Sequence, residues 1–411
     1  MKDIEDNTRK IKERFHFLKN KVNFETLVDD DIFLYVNFPF CSNLCDFCIY
    51  KIQIYDKEEC NKFLESYNKE IEIYSKLIKN KKFKNVHIGG GTPNLISPEL
   101  LIGPLGKLVD FDNINRFVVE VFPRHDLSEY LEILRKYNVT KIQMGVQTLN
   151  KDILAQEGRK VTKDLILSCL DILNKSGYIW SVDLVYGFKC EEKFNRDYVI
   201  ELNETLKFNP YGIHPYPMIS EENNNHYDIK KKDSLNRHKK VIDKVKIVYA
   251  VLKKAGYDLV KDEWCVHENI NHAKKTFCYD AKTGFYSNYI GIGPKASTFT
   301  RFFEYQNLKD IVKYGFYLDK GILPIDEFED FVESDFYPIS LIDKEIEYSS
   351  KIDINKFIKT ANLSKNEVKK ISALIRYFIH KRLKFKLEKG MLTIPNTHYS
   401  VGLKLIDEFW N

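Results

Sequence analysis

Residues 35–48 read Tyr35-Val-Asn-Phe-Pro-Phe-Cys41-Ser-Asn-Leu-Cys45-Asp-Phe-Cys48, and the spacing of the three cysteines organises the rest of the chain around them. Iron–sulfur clusters normally take four cysteine ligands. Three thiolates in a C-x3-C-x2-C loop can hold a [4Fe–4S] cluster and leave one iron open to a small molecule. Two plainer readings compete, a zinc knuckle and a disulfide pair. A zinc knuckle needs a second C-x2–4-C or C/H unit to complete its tetrahedron. Cys265 and Cys278 do not have that spacing. Short motifs carry false positives, so the neighbouring sequence has to decide.

A chain of 411 residues is longer than the roughly 250–300 at which one core stops growing. It is expected to form one large domain with a smaller appendage. The hydrophobic share of 44% suffices for a core, and 64 basic against 59 acidic residues leave a net charge of only +5. So mild and dispersed an excess gives no reason to propose a nucleic-acid partner. No stretch approaches the ~20 apolar residues of a membrane span. The N-terminus, Met-Lys-Asp-Ile-Glu-Asp, lacks the apolar core of a signal peptide. Eight cysteines without an export signal read as cytoplasmic, reduced thiols. A cluster with an open iron also points to an anaerobic or low-oxygen host.

Strand signals at 32–37, 86–88, 117–121, 141–146, 180–185 and 211–216 alternate with helical periodicity at 63–79, 128–137, 162–176 and 196–208. Ser97-Pro98 opens a further helix, with serine as cap and proline at the first helical position. Strand–helix alternation implies a parallel sheet, because parallel strands need crossovers. The pattern fits an incomplete (β/α)6 barrel or a doubly wound sheet, and both bind ligands at the C-terminal ends of the strands. There lie the cysteine loop after the first strand, Gly89-Gly90-Gly91-Thr92-Pro93 after the second, Glu120 in the third, Gln147 after the fourth and Asp183 in the fifth.

Beyond residue 220, 221–232 reads as a polar loop, 235–255 as a lysine-rich amphipathic helix and 289–299 as a strand with glycines. From about 336 a separate module begins. Ser364-Lys-Asn-Glu367 is a capping box, 383–387 and 391–394 flank a hairpin turn, and 400–410 forms a last helix. Helix, hairpin and helix make this winged-helix-like. Its modest basicity favours a lid or packing role over DNA binding.

The cysteine spacing resembles the signature of the radical S-adenosylmethionine (SAM) superfamily, and the glycine run resembles its SAM-binding "GGE-like" segment. Tyr35-Val-Asn-Phe-Pro-Phe-Cys41, His87-Ile-Gly-Gly-Gly-Thr-Pro93, Val119-Glu120-Val-Phe-Pro123, Met144-Gly-Val-Gln147 and Asp183-Leu-Val-Tyr-Gly187 follow in order. Together, over roughly residues 31–300, they resemble the oxygen-independent coproporphyrinogen III oxidase family. That resemblance implies an α/β fold, a partial (β/α)6 TIM-like barrel with a small C-terminal winged-helix-like α+β module. The expected division is an N-terminal helical arm (1–30), a radical SAM core with a following substrate or second-SAM segment (31–305), and the C-terminal module (306–411). It also implies that Cys41, Cys45 and Cys48 ligate a [4Fe–4S] cluster. Tyr35, Gly90, Gly91, Thr92, Glu120, Gln147, Arg159, Asp183 and Val185 would bind SAM. Carboxylates suit ribose hydroxyls, and arginine forks onto a carboxylate. A second SAM would sit near 183–185 and Gly291-Ile-Gly293.

The implied activity is reductive cleavage of SAM to a 5′-deoxyadenosyl radical that acts on a large organic substrate of the tetrapyrrole class, as in oxidative decarboxylation of coproporphyrinogen III. A flavodoxin- or ferredoxin-type protein would donate the electron. The alternatives are a two-SAM C-methyltransferase, a cyclopropanase, an anaerobic haem-degrading enzyme, or a non-enzymatic haem or iron–sulfur trafficking protein. The chain departs from its relatives at Asn37, where many carry histidine, and at 49–51. At 277–280 it lacks the His-Asn-x-x-Tyr-Trp motif of haem chaperones. Its scattered histidines, His214 among them, read as solvated or core residues.

Overall fold

Leu34, Val36 and Phe38 are fully buried, whereas Tyr35 and Asn37 between them are half-buried. This period of two sets one face of the first strand against helices and leaves the other for a site. The computed structural model describes residues 2–28, 32–48, 52–218, 244, 247–261, 266–269, 288–331, 337–348, 351–380 and 385–393.

Helix α1 (Lys2–Lys21) precedes strand β1 (Phe33–Phe38). Helix α2 (Lys57–Ile78) follows the cysteine loop. Its start lies six residues ahead of the expected 63, because Asp56 caps a polar first turn that has no apolar period to read. The Asp56 carboxylate accepts from the N–H groups of Glu58 and Glu59 at 2.9 and 3.0 Å. Phe63, Tyr67, Ile71, Tyr74 and Ile78 form the buried face of α2, in one core with Leu34 and Val36.

The chain continues through β2 (Asn85–Gly90), β3 (Arg116–Val121), α3 (Leu127–Arg135), β4 (Lys141–Gln147), α4 (Lys163–Lys175), β5 (Ile179–Tyr186), α5 (Tyr198–Leu206) and β6 (Gly212–Pro217). Strands β1 to β6 pair in sequence, each parallel to the next. This is the expected strand–helix order.

The six strands are the middle of a larger sheet. Strands β7 (Tyr257–Lys261) and β8 (Val266–Asn269) extend it antiparallel beyond β6. At the other side β9 (Tyr289–Ile292) pairs parallel with β1. Strands β10 (Ser297–Phe299) and β11 (Phe303–Asn307), helix α6 (Ile311–Leu318) and strand β12 (Ile325–Asp330) follow, and the strands add antiparallel. The twelve-strand order β12-β11-β10-β9-β1-β2-β3-β4-β5-β6-β8-β7 has two edges. The barrel is therefore partial, an open sheet and not a closed ring. Helix α1 packs against the β12 edge, where Arg14 donates to the carbonyls of Ile325 and Asp326.

Helix α7 (Tyr337–Tyr348), β13 (Lys351–Asp353), α8 (Ile354–Thr360), α9 (Lys365–His380), β14 (Lys386–Glu388) and β15 (Met391–Thr393) complete the described chain. The three strands pair in the order β13-β15-β14. Helix, strand, two helices and a hairpin is winged-helix order. The capping box forms, with the Ser364 N–H donating to Glu367 at 2.6 Å and the Glu367 N–H to Ser364 Oγ at 3.4 Å. The module has its own core around Phe357, Leu374 and Leu392, into which Phe299 reaches from β10. Because the large sheet runs on to Asp330, we place the start of this module near residue 331 and not at 306. The expected loop at 221–232, most of the 235–255 helix, the segment 277–280 and the helix at 400–410 lie outside the described residues. No described helix is long and apolar enough to cross a membrane.

Candidate metal and cofactor site

The cysteine loop is pinned from below. The Gln53 N–H donates to Pro39 O at 2.9 Å and the Tyr55 N–H to Cys41 O at 2.8 Å, which makes a two-residue parallel ladder. The glycine run after β2 closes over it, with the Gly91 N–H on Phe38 O at 2.7 Å and the Thr92 N–H on Phe40 O at 2.8 Å. A Cβ on Gly91 would lie 2.2 Å from Phe40 O, and Gly90 turns at φ +98° against Asn37. Only glycine permits both the approach and the turn.

Cys41, Cys45 and Cys48 are half-buried thiols outside any disulfide. Hydrogen-bond donors are aimed at two of the sulfurs. Thr92 Oγ1 donates to Cys41 Sγ at 3.2 Å, and Asn43 Nδ2 and Arg159 Nη1 donate to Cys45 Sγ at 3.7 and 3.8 Å. Asn43 also donates to Gly158 O at 2.8 Å, and the Asp46 N–H to Glu157 O at 3.0 Å. The Glu157-Gly158-Arg159 turn is thereby fastened to the loop. Burial pushes the Cys41 thiol up, and the Thr92 hydroxyl partly offsets this. Burial likewise lowers Arg159, against the pull of the three cysteines.

Arg159 is 8% exposed and stands with its Cζ 4.5 Å from the Phe122 ring. Among the described residues its Nε has no hydrogen-bond partner. An orphaned buried donor costs about 1–3 kcal/mol, so this N–H, on the guanidinium whose Nη1 reaches Cys45 Sγ, is available to an anionic ligand. The donor set fits a cluster and a carboxylate-bearing ligand. Among the described residues no three His, Cys, Asp or Glu side chains converge on one ion. A cubane needs no such convergence, because each thiolate binds its own iron. The next cysteine, Cys60, is buried in the core on α2.

The other expected residues line the same sheet face as two carboxylate groups. Glu120 Oε1 bonds His87 Nε2 at 2.8 Å. The His87 ring lies 5.7 Å from Tyr35, whose hydroxyl donates to Asn37 Oδ1 at 3.4 Å. Asp183 accepts from Gln143 Nε2 at 3.0 and 3.1 Å and bonds His214 Nδ1 at 2.8 Å. Gln143 stands in register with Glu120 on the neighbouring strand, so it lies between the two carboxylates. Gln147 turns the chain at φ +68° at the end of β4. Val185 packs its side chain with Ile153 and Phe188, while its carbonyl accepts from Arg196 at 2.7 Å. Phe47 of the cysteine loop packs against the same apolar cluster.

On the sequence reading, Asn43, His87, Gln143 and Arg196 have no role in this site. Counting back two residues from Gly89 and from Gly145 would have put His87 and Gln143 on the site face. His214 is buried, as a core histidine should be, but it is bonded to Asp183 and is not an isolated side chain.

A profile of the radical SAM superfamily matches residues 35–196. The haem chaperone HemW of Lactococcus lactis is 25% identical over 288 residues, covering 68% of this chain and 73% of the relative. The oxygen-independent coproporphyrinogen III oxidase of Escherichia coli is 28% identical over 183 residues, covering 43% of this chain and 39% of that enzyme. The solved structure of coproporphyrinogen III oxidase (HemN) from Escherichia coli superposes with a TM-score of 0.69 at 17% identity, over 93% of this chain and 91% of that one. The fold is shared along nearly the whole chain, whereas the sequence likeness to the oxidase is concentrated in less than half of it.

Proposed function

Because the chain belongs to the radical SAM superfamily, in the coproporphyrinogen III oxidase-like family, we propose that it is an enzyme that cleaves SAM reductively and acts on a tetrapyrrole-class substrate. The observation that carries the reading is the loop of three thiols outside any disulfide, with Thr92 donating to the Cys41 sulfur and Asn43 and Arg159 to that of Cys45, and the Arg159 Nε–H left over. When bound, a [4Fe–4S] cluster on Cys41, Cys45 and Cys48 supplies the electron that converts SAM to a 5′-deoxyadenosyl radical.

The rest is the work of the chain's own residues. The donors to sulfur stabilise negative charge on the thiolates. Arg159 holds the SAM carboxylate, and the main chain of Gly90 and Gly91 lies against its methionine part. Glu120 and Asp183 accept from ribose hydroxyls. Each carboxylate is held in place by an imidazole, so its orientation is set before the ligand arrives. A flavodoxin- or ferredoxin-type donor and a cytoplasmic, low-oxygen setting complete the proposal.

Anaerobic reconstitution with iron and sulfide, then SAM and dithionite, tests it. Formation of 5′-deoxyadenosine, lost in Cys41→Ala, Cys45→Ala and Cys48→Ala, is the expected result. Its absence from the loaded wild type would sink the enzyme reading. S-adenosylhomocysteine formed alongside would assign the protein to methyl transfer instead of oxidation.

A second reading, non-enzymatic haem trafficking, is supported by the greater share of this chain matched by the haem chaperone HemW. A protein that binds haem stoichiometrically yet makes no 5′-deoxyadenosine would establish it.

A further inference from the structure

Arg196 precedes α5, and its side chain is 1% exposed. It takes no part in the chemistry set out above, yet every guanidinium nitrogen is engaged. Nη1 donates to Glu191 Oε1 and to Val185 O, both at 2.7 Å. Nε donates to Glu201 Oε2 at 2.7 Å, and Nη2 donates to Glu201 Oε1 at 3.1 Å and Gln147 O at 3.4 Å. The two carboxylates reach the same strand ends. Glu191 Oε1 accepts from the Gly187 N–H at 2.7 Å, and Glu201 Oε1 accepts from the Leu149 N–H. One buried guanidinium thus ties the C-terminal end of β4 to that of β5.

The surroundings are built for a fixed charge. The rings of Tyr186, Phe188 and Tyr198 stand 5.1, 5.4 and 4.9 Å from the guanidinium carbon. Lys244 Nζ reaches Glu191 Oε2 at 3.3 Å, so two anions face two cations. Tyr198 donates its hydroxyl to the same carboxylate oxygen. As a stability device this arrangement is poor, because apolar side chains of equal volume stabilise a core at least as well. Its specific effect is to hold main-chain atoms. Gln147 sits at φ +68°, a region that residues with side chains enter uncommonly and at some cost in energy.

We propose that Arg196 is a positioning residue for SAM: it does not touch the ligand, but it fixes the carbonyls of Gln147 and Val185 and so sets the shape of the rim that receives the nucleoside. This rests on the SAM-binding reading above. Replacing the fork by a single-point cation should leave the cluster alone and loosen the rim.

The test uses anaerobically reconstituted, cluster-loaded protein and SAM titration by calorimetry, with iron and sulfide content and the electron paramagnetic resonance spectrum of the reduced cluster as companions. Arg196→Lys is expected to raise the Kd for SAM about tenfold. Its iron content and SAM-free spectrum stay as in the wild type. The SAM-induced change in that spectrum needs correspondingly more ligand. A loaded Arg196→Lys protein that binds SAM as tightly as wild type overturns the proposal. So does a variant that loses cluster and SAM together, which marks a merely structural role.

Should Arg196→Lys fail to fold, Tyr198→Phe and Lys244→Gln loosen the same network from its edge. A Kd raised roughly threefold in each supports the proposal, and unchanged affinity in both refutes it. If the wild type itself binds no SAM, the cofactor reading falls. If the wild type binds and the variants bind equally, only the role of Arg196 falls.

Discussion

Replacing Glu70 by glutamine should remove a pH dependence from the protein's stability. Glu70 lies on α2, fully buried, and accepts from the Gly293 N–H at 2.8 Å, Asn307 Nδ2 at 2.7 Å and the Tyr314 hydroxyl. The titratable groups around it are tyrosines, Tyr67, Tyr74, Tyr305 and Tyr314, all raised by burial and so neutral. Burial therefore outweighs the three donors and pushes the Glu70 carboxyl from 4.5 up to about 7. A folded-state pKa above the unfolded one means that the folded protein binds the extra proton. Stability then falls as pH rises from the unfolded value through the folded one, and levels off above it. A difference of about 2.5 pH units at 1.36 kcal/mol each amounts to about 3 kcal/mol at full development. Between pH 5 and pH 8 the wild type should lose about 2.5 kcal/mol that Glu70→Gln keeps. Urea titrations of both proteins across that range, prepared identically and without oxygen, read the gap. Any contribution of a bound cluster is common to both curves. The glutamine also changes hydrogen bonds, so the absolute stabilities will differ, and the test lies in the slopes. Parallel curves from pH 5 to pH 8 would refute the assignment of a buried, proton-binding Glu70.

Two further substitutions probe the loop. Gly91→Ala puts a methyl group 2.2 Å from Phe40 O, so it should cost about 1–3 kcal/mol. It should also lower the iron and sulfide retained after reconstitution, and full retention would show that the loop can shift freely. Thr92→Val removes the 3.2 Å O–H donor to Cys41 Sγ, a loss of about 1 kcal/mol, and should move the cluster's reduction potential to more negative values. A redox titration followed by electron paramagnetic resonance checks this, and an unchanged potential would place Thr92 away from the cluster sulfur.

The strand–helix rhythm was legible because it is a local property. Leu34, Val36 and Phe38 alternate with Tyr35 and Asn37, and the apolar residues of α2 recur at helical spacing. The start of α2 was not legible, since an aspartate cap and a polar first turn look like loop. The width of the sheet was not legible either. Nothing local in 289–292 says that it pairs with β1, which precedes it by more than 250 residues. Of the candidate site, the residues next to glycines and cysteines could be read, because those positions have backbone demands that few residue types meet. The partners of Asn43, His87, Gln143 and His214 could not, since Gly158 O, Glu120 and Asp183 lie 31 to 115 residues away along the chain.

The sequence by itself determined the three thiols, the glycine run after the second strand, and the alternation of six strands with helices along the chain. Spacing along the chain is enough to specify a ligand loop and a two-residue period. Only the tertiary structure decided which side chains share a face. It pairs His87 with Glu120 and His214 with Asp183, leaves Arg159 with an N–H to spare, and clamps two strand ends to Arg196. The physical reason is that a hydrogen bond acts over about 3 Å in space and is indifferent to how many residues of chain lie between its partners.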